Sequence, residues 1–496
     1  MNRTAEATLA NGRRIPYVIT DNPPRGGMKY TYFAPDKSYV VQFFNEPGKI
    51  DINTRSRIEA IIGRYNPTMP ETKGGAIGND ERIAGYFANR FCWPTDIVVA
   101  PEFGLVSPAY PNNFFFSTDA SALLQLNGKD KKSNWFTSSN RRFLNKNELG
   151  DFRSMLQMSL LLARSIRRLH QAGLAHSDLS NNNVLIDPKT GNCVVIDIDS
   201  LVVPGLYPPE VAGTRGYIAP EVLSTMELDR DDQRRKTPSS YTDLHALAVL
   251  IYEYLFCRHP LMGPKIFTTA SAEEDDFLGL GPKALFIENQ QDTSNRPVVL
   301  RGEIKDLGPI MEKLFIRAFV DGLHNPDARP SAMEWERGLV QTWDLLHQCS
   351  NPDCEKKWFV MNDLSKPVCP FCGTRSADRQ LVRFTFKQEV RGHSGQWRPY
   401  SELDVVNNTP LFRWHTLSSI FPDEKADKTM QAYVCCHNNE WFLVNHSATG
   451  MMSPQGNPVP AGQAIRLQDG TVFRASREDR GMLIEVSIKS NQPYFK

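Results

Sequence analysis

Three acidic residues and one amide follow or precede short apolar runs in the middle of the chain. Asp178 and Asn183 stand five residues apart, just before one apolar run. Asp197 directly follows the next apolar run, and Asp199 comes two residues later. Carboxylates can accept a proton, and carboxylate and amide oxygens suit a hard cation such as Mg²⁺. The pattern predicts a polar site beside two short strands.

The elements that must position this site form a sheet-rich part followed by a helical part. Apolar periodicity and turn residues predict the strands 13–44, 93–99 and 104–107 and the helices 53–64, 79–91 and 148–171. We expect Asn79 to cap the second of these helices. Helical patterns dominate from residue 243 to about 347. The fold class is therefore α+β, a two-lobed domain over residues 13–347, with a small lobe at 13–110 and a large lobe at 111–347.

Three motifs in chain order resemble the protein-kinase signature set: His176-x-Asp178-x₄-Asn183, Asp197-Ile198-Asp199 and Ala219-Pro220-Glu221. The resemblance implies that Asp178 orients the substrate hydroxyl or accepts its proton. Asn183 and Asp197 would hold Mg²⁺ against the phosphates of ATP, and His176 would brace the catalytic loop. Asp199 stands where the family has glycine, either as a second ligand or as the cap of the following turn.

Two further matches favour a protein kinase over a small-molecule kinase of similar fold. In the family, the glutamate matched by Glu221 forms a buried ion pair with an arginine, here Arg329. Asp243 opens an apolar helix and matches the residue that tethers the catalytic loop. Thr214 matches the position that contacts the catalytic Asp in kinases that act on serine or threonine.

The small lobe departs from the family at the lysine that holds the phosphates. Alignment of the strand 38–44 with the family pattern places Gln42 at that position. Because glutamine is neutral, it cannot supply the missing charge. This favours the alternative of a pseudokinase scaffold that binds partners and nucleotide without transferring phosphate.

A lysine in the glycine-rich loop offers a replacement. Gly26 and Gly27 are followed by Lys29, which aligns with the third glycine of the family loop. The with-no-lysine kinases carry their phosphate lysine there, and this loop is similar. Lys29 is therefore predicted to bind the phosphates, the alternative being an exposed loop charge. Its glutamate partner is Glu59, or else Glu81 in the next helix.

Four cysteines form a separate module over residues 348–379. Cys349 and Cys354 are followed, after fourteen residues, by Cys369 and Cys372. Two such pairs supply four thiolates in tetrahedral geometry, which is typical of a structural zinc ribbon. The remaining five cysteines lie in apolar contexts and are predicted to be buried thiols.

Residues 380–496 alternate short strands with turns, which predicts a β-sandwich. The stretch 440–486 resembles the second half of a forkhead-associated domain, an eleven-strand sandwich that binds phosphothreonine. Arg413 matches the phosphate-reading arginine of that family, but Lys428 and Gln431 stand where serine and histidine are expected. The alternative is a degenerate sandwich that contacts the catalytic domain or a partner.

Composition excludes other classes of protein. The 496 residues carry 57 basic and 56 acidic side chains, so a globally basic nucleic-acid binder is not expected. We expect no secretory signal and no membrane span, and hence a cytoplasmic location. The whole arrangement resembles bacterial kinases associated with tellurite-resistance or stress clusters. That resemblance implies a protein substrate, which could be the chain itself, and a phosphatase or a von Willebrand A-type protein as partners.

Overall fold

The computed structural model describes residues 3–26, 28–121, 124–203, 206, 213–229, 231–266 and 271–491. The chain forms two compact units. The first contains residues 1–150, 154–300 and 313–336, and the second contains residues 151–153, 301–312 and 337–496.

The first unit begins with a six-stranded antiparallel sheet in the order β2-β1-β5-β6-β4-β3. Its strands are β1 (Arg3–Leu9), β2 (Arg14–Ile19), β3 (Lys29–Phe33), β4 (Tyr39–Phe44), β5 (Asp96–Ala100) and β6 (Gly104–Pro108). The sheet curls so that its two edge strands approach each other. The rings of Tyr17 on β2 and Tyr32 on β3 are 5.4 Å apart, and the Tyr39 hydroxyl donates to the carbonyl of Pro16. The enclosed face buries Val41 and Phe43.

The α-helices up to residue 343 are α1 (Ile52–Ile62), α2 (Glu81–Ala88), α3 (Asn134–Thr137), α4 (Phe152–Gln171), α5 (Pro220–Leu223), α6 (Ser240–Phe256), α7 (Ala272–Leu280), α8 (Pro309–Ile316) and α9 (Ala332–Trp343). Asp80, not Asn79, caps α2, and its carboxylate accepts from the backbone N–H of Ile83. The Asn79 amide instead donates to the carbonyls of Pro67 and Met69. Almost every residue of α6 is buried, so this helix forms the centre of the large lobe. A two-stranded hairpin, β7 (Val184–Asp187) and β8 (Asn192–Val195), follows the motif His176-x-Asp178-x₄-Asn183.

The second unit is rich in strands. A hairpin of β9 (Leu346–Gln348) and β10 (Trp358–Val360) adjoins the cysteine module. One four-stranded sheet has the order β12-β11-β18-β17 and the other β13-β14-β15-β16. The elements are β11 (Gln380–Val390), β12 (His393–Val405), β13 (Pro410–Leu411), α10 (Arg413–Thr416), β14 (Ala432–His437), β15 (Glu440–Asn445), β16 (Ala464–Leu467), β17 (Val472–Arg474) and β18 (Leu483–Ser490).

Side chains from both sheets share one core, including Phe384 and Ile484 from one sheet and Val434 and Leu443 from the other. This is the packing of a β-sandwich. The forkhead-associated resemblance implies eleven strands, whereas the described residues from 380 onward form eight.

Within the described residues, no helix combines the length and apolar character that crossing a membrane requires.

Candidate active site

Asp178 lies at the centre of a hydrogen-bonded loop in the large lobe. The Thr214 hydroxyl donates to Asp178 Oδ1 at 2.7 Å. The Asn183 amide Nδ2 donates to Asp178 Oδ2 at 2.9 Å and to the Asp178 carbonyl at 2.8 Å. These hydrogen bonds fix the orientation of the carboxylate. Because Asp178 is only half-buried, the carboxylate remains accessible. Because Asn183 commits its nitrogen to Asp178, its Oδ1 is the atom left to serve as an oxygen donor.

Buried polar contacts brace this loop from behind. His176 Nε2 donates to the Ile196 carbonyl at 3.1 Å, which ties the loop to the residue before Asp197. The His176 backbone N–H donates to Asp243 Oδ2 at 2.8 Å, and His170 Nε2 donates to the same oxygen at 3.0 Å. Asp243 is 1% exposed. The sequence offered no motif for His170, which lies at the end of α4 and was not predicted to take part.

The Asp197-Ile198-Asp199 motif turns sharply where β8 ends. Asp197 has a positive φ of 61°, and residues Ile198–Ser200 form a single helical turn. Ile198 is buried, which anchors the turn between the two acids. Desolvation and the neighbouring charge of Asp199 raise the pKa of Asp197. Two neighbouring carboxylates favour a bound cation, and carboxylate oxygens are ligands that suit Mg²⁺.

Lys29 reaches this turn from the small lobe. Its Nζ hydrogen-bonds to Asp199 Oδ1 and lies 3.7 Å from Asp197 Oδ1. The Lys29 and Asp199 side chains are only 10% and 11% exposed. Burial opposes the charged form, but the two carboxylates outweigh it and raise the pKa of Lys29. Lys29 is thus a buried cation and not an exposed loop charge.

Gln42 lies on the sheet face that also carries Lys29. It pairs with Thr31 across β3 and β4, and Lys29 is two residues from Thr31 on the same strand. The Ser107 hydroxyl donates to Gln42 Oε1 at 3.3 Å. Gln42 therefore presents a neutral amide on the face of the sheet that carries the Lys29 ammonium.

The structure describes part of the glycine-rich loop. Gly26 is exposed, and its backbone N–H donates to the Lys29 carbonyl at 2.8 Å. Gly27, predicted to contact the cofactor, lies outside the described residues.

Neither predicted glutamate partner reaches Lys29. Glu59 is exposed on α1, and Glu81 is exposed on α2, where it pairs with Lys73 at 3.0 Å. Within the described part of the chain, no ion pair joins either glutamate to Lys29. The carboxylates that contact the lysine are those of the Asp-Ile-Asp motif.

The segment 197–221, named the activation segment after its counterpart in the resembling family, ends at Glu221, which pairs with Arg329. The guanidinium donates to both oxygens of the carboxylate, and its Nε donates to the Gly322 carbonyl at 2.8 Å. Arg329 is 4% exposed. The structure thus brings together two residues that are 108 positions apart in the sequence.

The four predicted zinc ligands form one cluster in the second unit. The Sγ atoms of Cys349, Cys354, Cys369 and Cys372 all lie within 4.8 Å of one another. The Cys349–Cys372 and Cys354–Cys369 sulfur distances are 3.5 and 4.0 Å. Tetrahedral Zn–S bonds of about 2.3 Å would place the sulfurs about 3.8 Å apart. The donor set and its spacing therefore fit zinc.

Arg413, the predicted phosphate-reading residue of the β-sandwich, is already paired. Its Nη2 donates to Glu478 Oε2 at 2.6 Å. Glu478 also accepts from the Thr449 hydroxyl at 2.7 Å. A carboxylate at this position competes with a phosphate for the guanidinium.

Comparison with known proteins finds one family whose model matches part of the chain. Residues 116–339 match the protein kinase domain family, so the chain contains a protein kinase domain. This range includes Asp178, Asn183, Asp197 and the Glu221–Arg329 pair. The matched region begins after Pro108, and the small lobe with Lys29 lies outside it.

The similar proteins include serine/threonine kinases. The chain is 35% identical over 129 residues to the anti-Muellerian hormone type-2 receptor of Homo sapiens, which is 21% of this chain and 22% of that protein. It is 29% identical over 143 residues to serine/threonine-protein kinase PSK1 of Saccharomyces cerevisiae, 27% of this chain and 10% of that protein. The chain thus spans about a fifth or less of the length of these relatives.

Among solved structures, the chain is similar to the Toxoplasma gondii specific rhoptry antigen kinase domain. The TM-score is 0.40 at 14% identity, covering 68% of this chain and 86% of that one.

Proposed function

We propose that the protein is an ATP- and Mg²⁺-dependent protein kinase that transfers the γ-phosphate to serine or threonine hydroxyls. The observation that carries this proposal is the Asp178 carboxylate, held by Thr214 on one oxygen and by Asn183 on the other. Positioning and charge neutralisation are what phosphoryl transfer requires of a protein. Protein substrates follow from the kinase domain, and Thr214 supports serine or threonine as the acceptor.

Each side chain has one role in this proposal. Asp178 orients the acceptor hydroxyl and takes its proton. Asn183 Oδ1 and the Asp197 carboxylate would hold Mg²⁺, which, when bound, neutralises charge on the phosphates. Lys29 supplies the ammonium that Gln42 cannot, and Gly26 belongs to the loop that covers the phosphates.

A second candidate is a pseudokinase scaffold, and the observation that favours it is Gln42. Its amide is engaged by Ser107, and the strand that normally carries the phosphate lysine has none. Such a protein would bind nucleotide and assemble partners without transfer. The buried position of Lys29 beside Asp197 supports the active enzyme over this alternative.

Incubation of the full chain with labelled ATP, Mg²⁺ and a generic protein substrate tests the two candidates. If the protein is a kinase, the wild-type chain should transfer phosphate and Asp178→Asn should do so about 10²- to 10⁴-fold more slowly. Transfer no higher than in Asp178→Asn would favour the scaffold. Autophosphorylation in the same experiment reports whether the chain is its own substrate.

The second unit is proposed to assemble partners. The four-cysteine cluster would be a closed structural zinc site with no open position for catalysis. The β-sandwich would contact a partner, and the resemblance to tellurite- or stress-associated kinases suggests a phosphatase or a von Willebrand A-type protein. The Arg413–Glu478 pair supports protein contact over phosphothreonine binding. No disulfide joins any of the nine cysteines, all of which lie in the described part of the chain, and this supports a cytoplasmic location.

A further inference from the structure

The carboxylate that contacts Lys29 comes from an unexpected part of the chain. In kinases that carry a lysine on the strand corresponding to β4, a glutamate from a neighbouring helix pairs with that lysine. Here Glu59 and Glu81 are both exposed, and Glu81 is engaged with Lys73. Asp199 instead meets the ammonium, from a position 170 residues along the chain.

Asp199 and its neighbour Asp197 differ in how far their side chains are exposed to solvent. The Asp199 side chain is 11% exposed and that of Asp197 is 41% exposed. An ion pair is stronger where water is excluded, so Asp199 dominates the environment of the Lys29 ammonium. Asp197 lies farther away, at 3.7 Å, and keeps an accessible face for a cation.

The local backbone explains how one short motif supplies both acids. Asp197 adopts a left-handed conformation, and the helical turn that follows carries Asp199 toward the small lobe. Buried Ile198 and Leu201 hold this turn in place. A glycine at residue 199 would leave the buried ammonium without its closest partner, which is costly.

We infer that Asp199 is the positioning residue for Lys29, taking the place of the helix glutamate and leaving Asp197 to the metal. The inference rests on the proposed function, because it assigns Lys29 to nucleotide phosphates. It makes the orientation of the phosphate lysine depend on the start of the activation segment and not on the placement of α1 or α2.

Nucleotide binding tests this without any phosphotransfer. The affinity of the full chain for ADP is measured by calorimetry, with Mg²⁺ and with EDTA, for Lys29→Met, Asp199→Asn and the double variant. Asp231→Asn, an exposed acid, serves as the matched charge control, and thermal unfolding checks that each variant is folded. Asp199→Glu, which keeps the carboxylate, is expected to recover part of the binding lost in Asp199→Asn.

We expect each single variant to weaken ADP binding about tenfold, and the double variant to bind no more weakly than Lys29→Met. This non-additivity should persist in EDTA, because the coupling runs through Lys29 and not through a metal. If the losses of ADP affinity in the two single variants multiply in the double variant, Asp199 would act as a metal ligand and the inference would be wrong. The same holds if Asp199→Asn loses affinity only with Mg²⁺. Tighter ADP binding by Asp199→Asn would mean that Asp199 keeps Lys29 away from the phosphates, which contradicts the inference. If Glu59→Gln lost as much affinity as Asp199→Asn, the glutamate on α1 would be the positioning residue instead.

The outcome is separable from that of the proposed function. Non-additive losses of ADP affinity without phosphotransfer would support Asp199 as the positioning residue in a pseudokinase. Phosphotransfer together with losses of affinity that multiply would support the kinase and contradict the positioning role of Asp199. No ADP binding by the wild-type chain would reject both.

Discussion

The Arg329 guanidinium holds the Glu221 carboxylate through two parallel hydrogen bonds, Nη1 to Oε1 at 2.8 Å and Nη2 to Oε2 at 2.7 Å. The same guanidinium donates to the backbone carbonyls of Gly322 and Tyr241. One buried cation therefore fixes the end of the activation segment, the start of α6 and the loop before α9.

Removal of Arg329 should destabilise the first unit strongly. Arg329→Met leaves the Glu221 carboxylate and three carbonyls, those of Gly322, Leu323 and Tyr241, without their donor. The free energy of unfolding should therefore fall by about 3 kcal/mol. Urea denaturation followed by tryptophan fluorescence measures it. The double variant Glu221→Met/Arg329→Met removes both charges and should lose less. A double variant that loses the full sum of the single losses would contradict this account.

Loss of the Thr214 hydroxyl should slow phosphotransfer without affecting nucleotide binding. Thr214→Val removes the hydrogen bond to Asp178 Oδ1, so kcat should fall about tenfold while the KM for ATP stays the same. Steady-state kinetics separates the two constants. Thr214→Ser keeps a hydroxyl and should stay near the wild-type rate, and a wild-type rate in Thr214→Val would show that the contact has no part in turnover.

Lys29 and Gln42 should differ sharply in their importance. Lys29→Ala removes the buried cation beside Asp197 and should reduce kcat/KM about a hundredfold. Gln42→Ala removes a neutral amide whose contact is Ser107 and should have little effect. The same radiolabel assay compares both variants. Full activity in Lys29→Ala would reject the idea that this lysine replaces the one missing from β4.

The cysteine cluster should bind one zinc ion per chain. Cys369→Ser removes a fully buried ligand, so the metal should be lost and the second unit should melt at a lower temperature. Elemental analysis and thermal unfolding report the two effects. Cys436→Ser, on β14 and outside the cluster, should retain the metal. Zinc content unchanged in Cys369→Ser would rule out the four-thiolate site.

Stability should fall as pH rises toward 8 because of Glu253. Burial raises the pKa of Glu253 to about 8, although a hydrogen bond from Tyr217 opposes the rise. Between the usual glutamate pKa and 8, the folded chain binds a proton that the unfolded chain has released. The free energy of unfolding should therefore drop by up to about 1.4 kcal/mol per pH unit for such a group.

The isosteric variant Glu253→Gln isolates this effect. Unfolding by urea between pH 5 and 8 should show a shallower slope than in the wild type. Burial also raises the pKa of Asp344 to about 8, so part of the slope should remain. Parallel curves for the variant and the wild type would contradict the assignment to Glu253.

Local motifs predicted the large-lobe elements well, because their spacing reflects contacts made within a few residues. Asp178 and Asn183 are five positions apart and bond to each other directly. The strand β1 was missed, because its inward-facing residues include Ala5 and Ala7, which carry little of the β-branched or aromatic character of strands. Asn79 was wrongly assigned as the helix cap, since its amide is used by two distant carbonyls.

The partner of Lys29 was beyond sequence reasoning. Asp199 and Lys29 meet only because the curled sheet places β3 over the turn that follows β8. A helix glutamate was expected by analogy, yet Glu59 falls on the exposed side of α1. One signal was present: an acid at a position where the family has glycine brings a new charge into the site.

The neutral amide at Gln42 has a consequence for chemical profiling. Probes that acylate the kinase lysine on the strand corresponding to β4 need a nucleophilic amine, and the amide of Gln42 provides none. A nucleotide-directed acylating probe should therefore leave the β4 peptide unmodified, and mass spectrometry of that peptide checks this outcome. Inhibitors built to engage that strand lysine should bind poorly here.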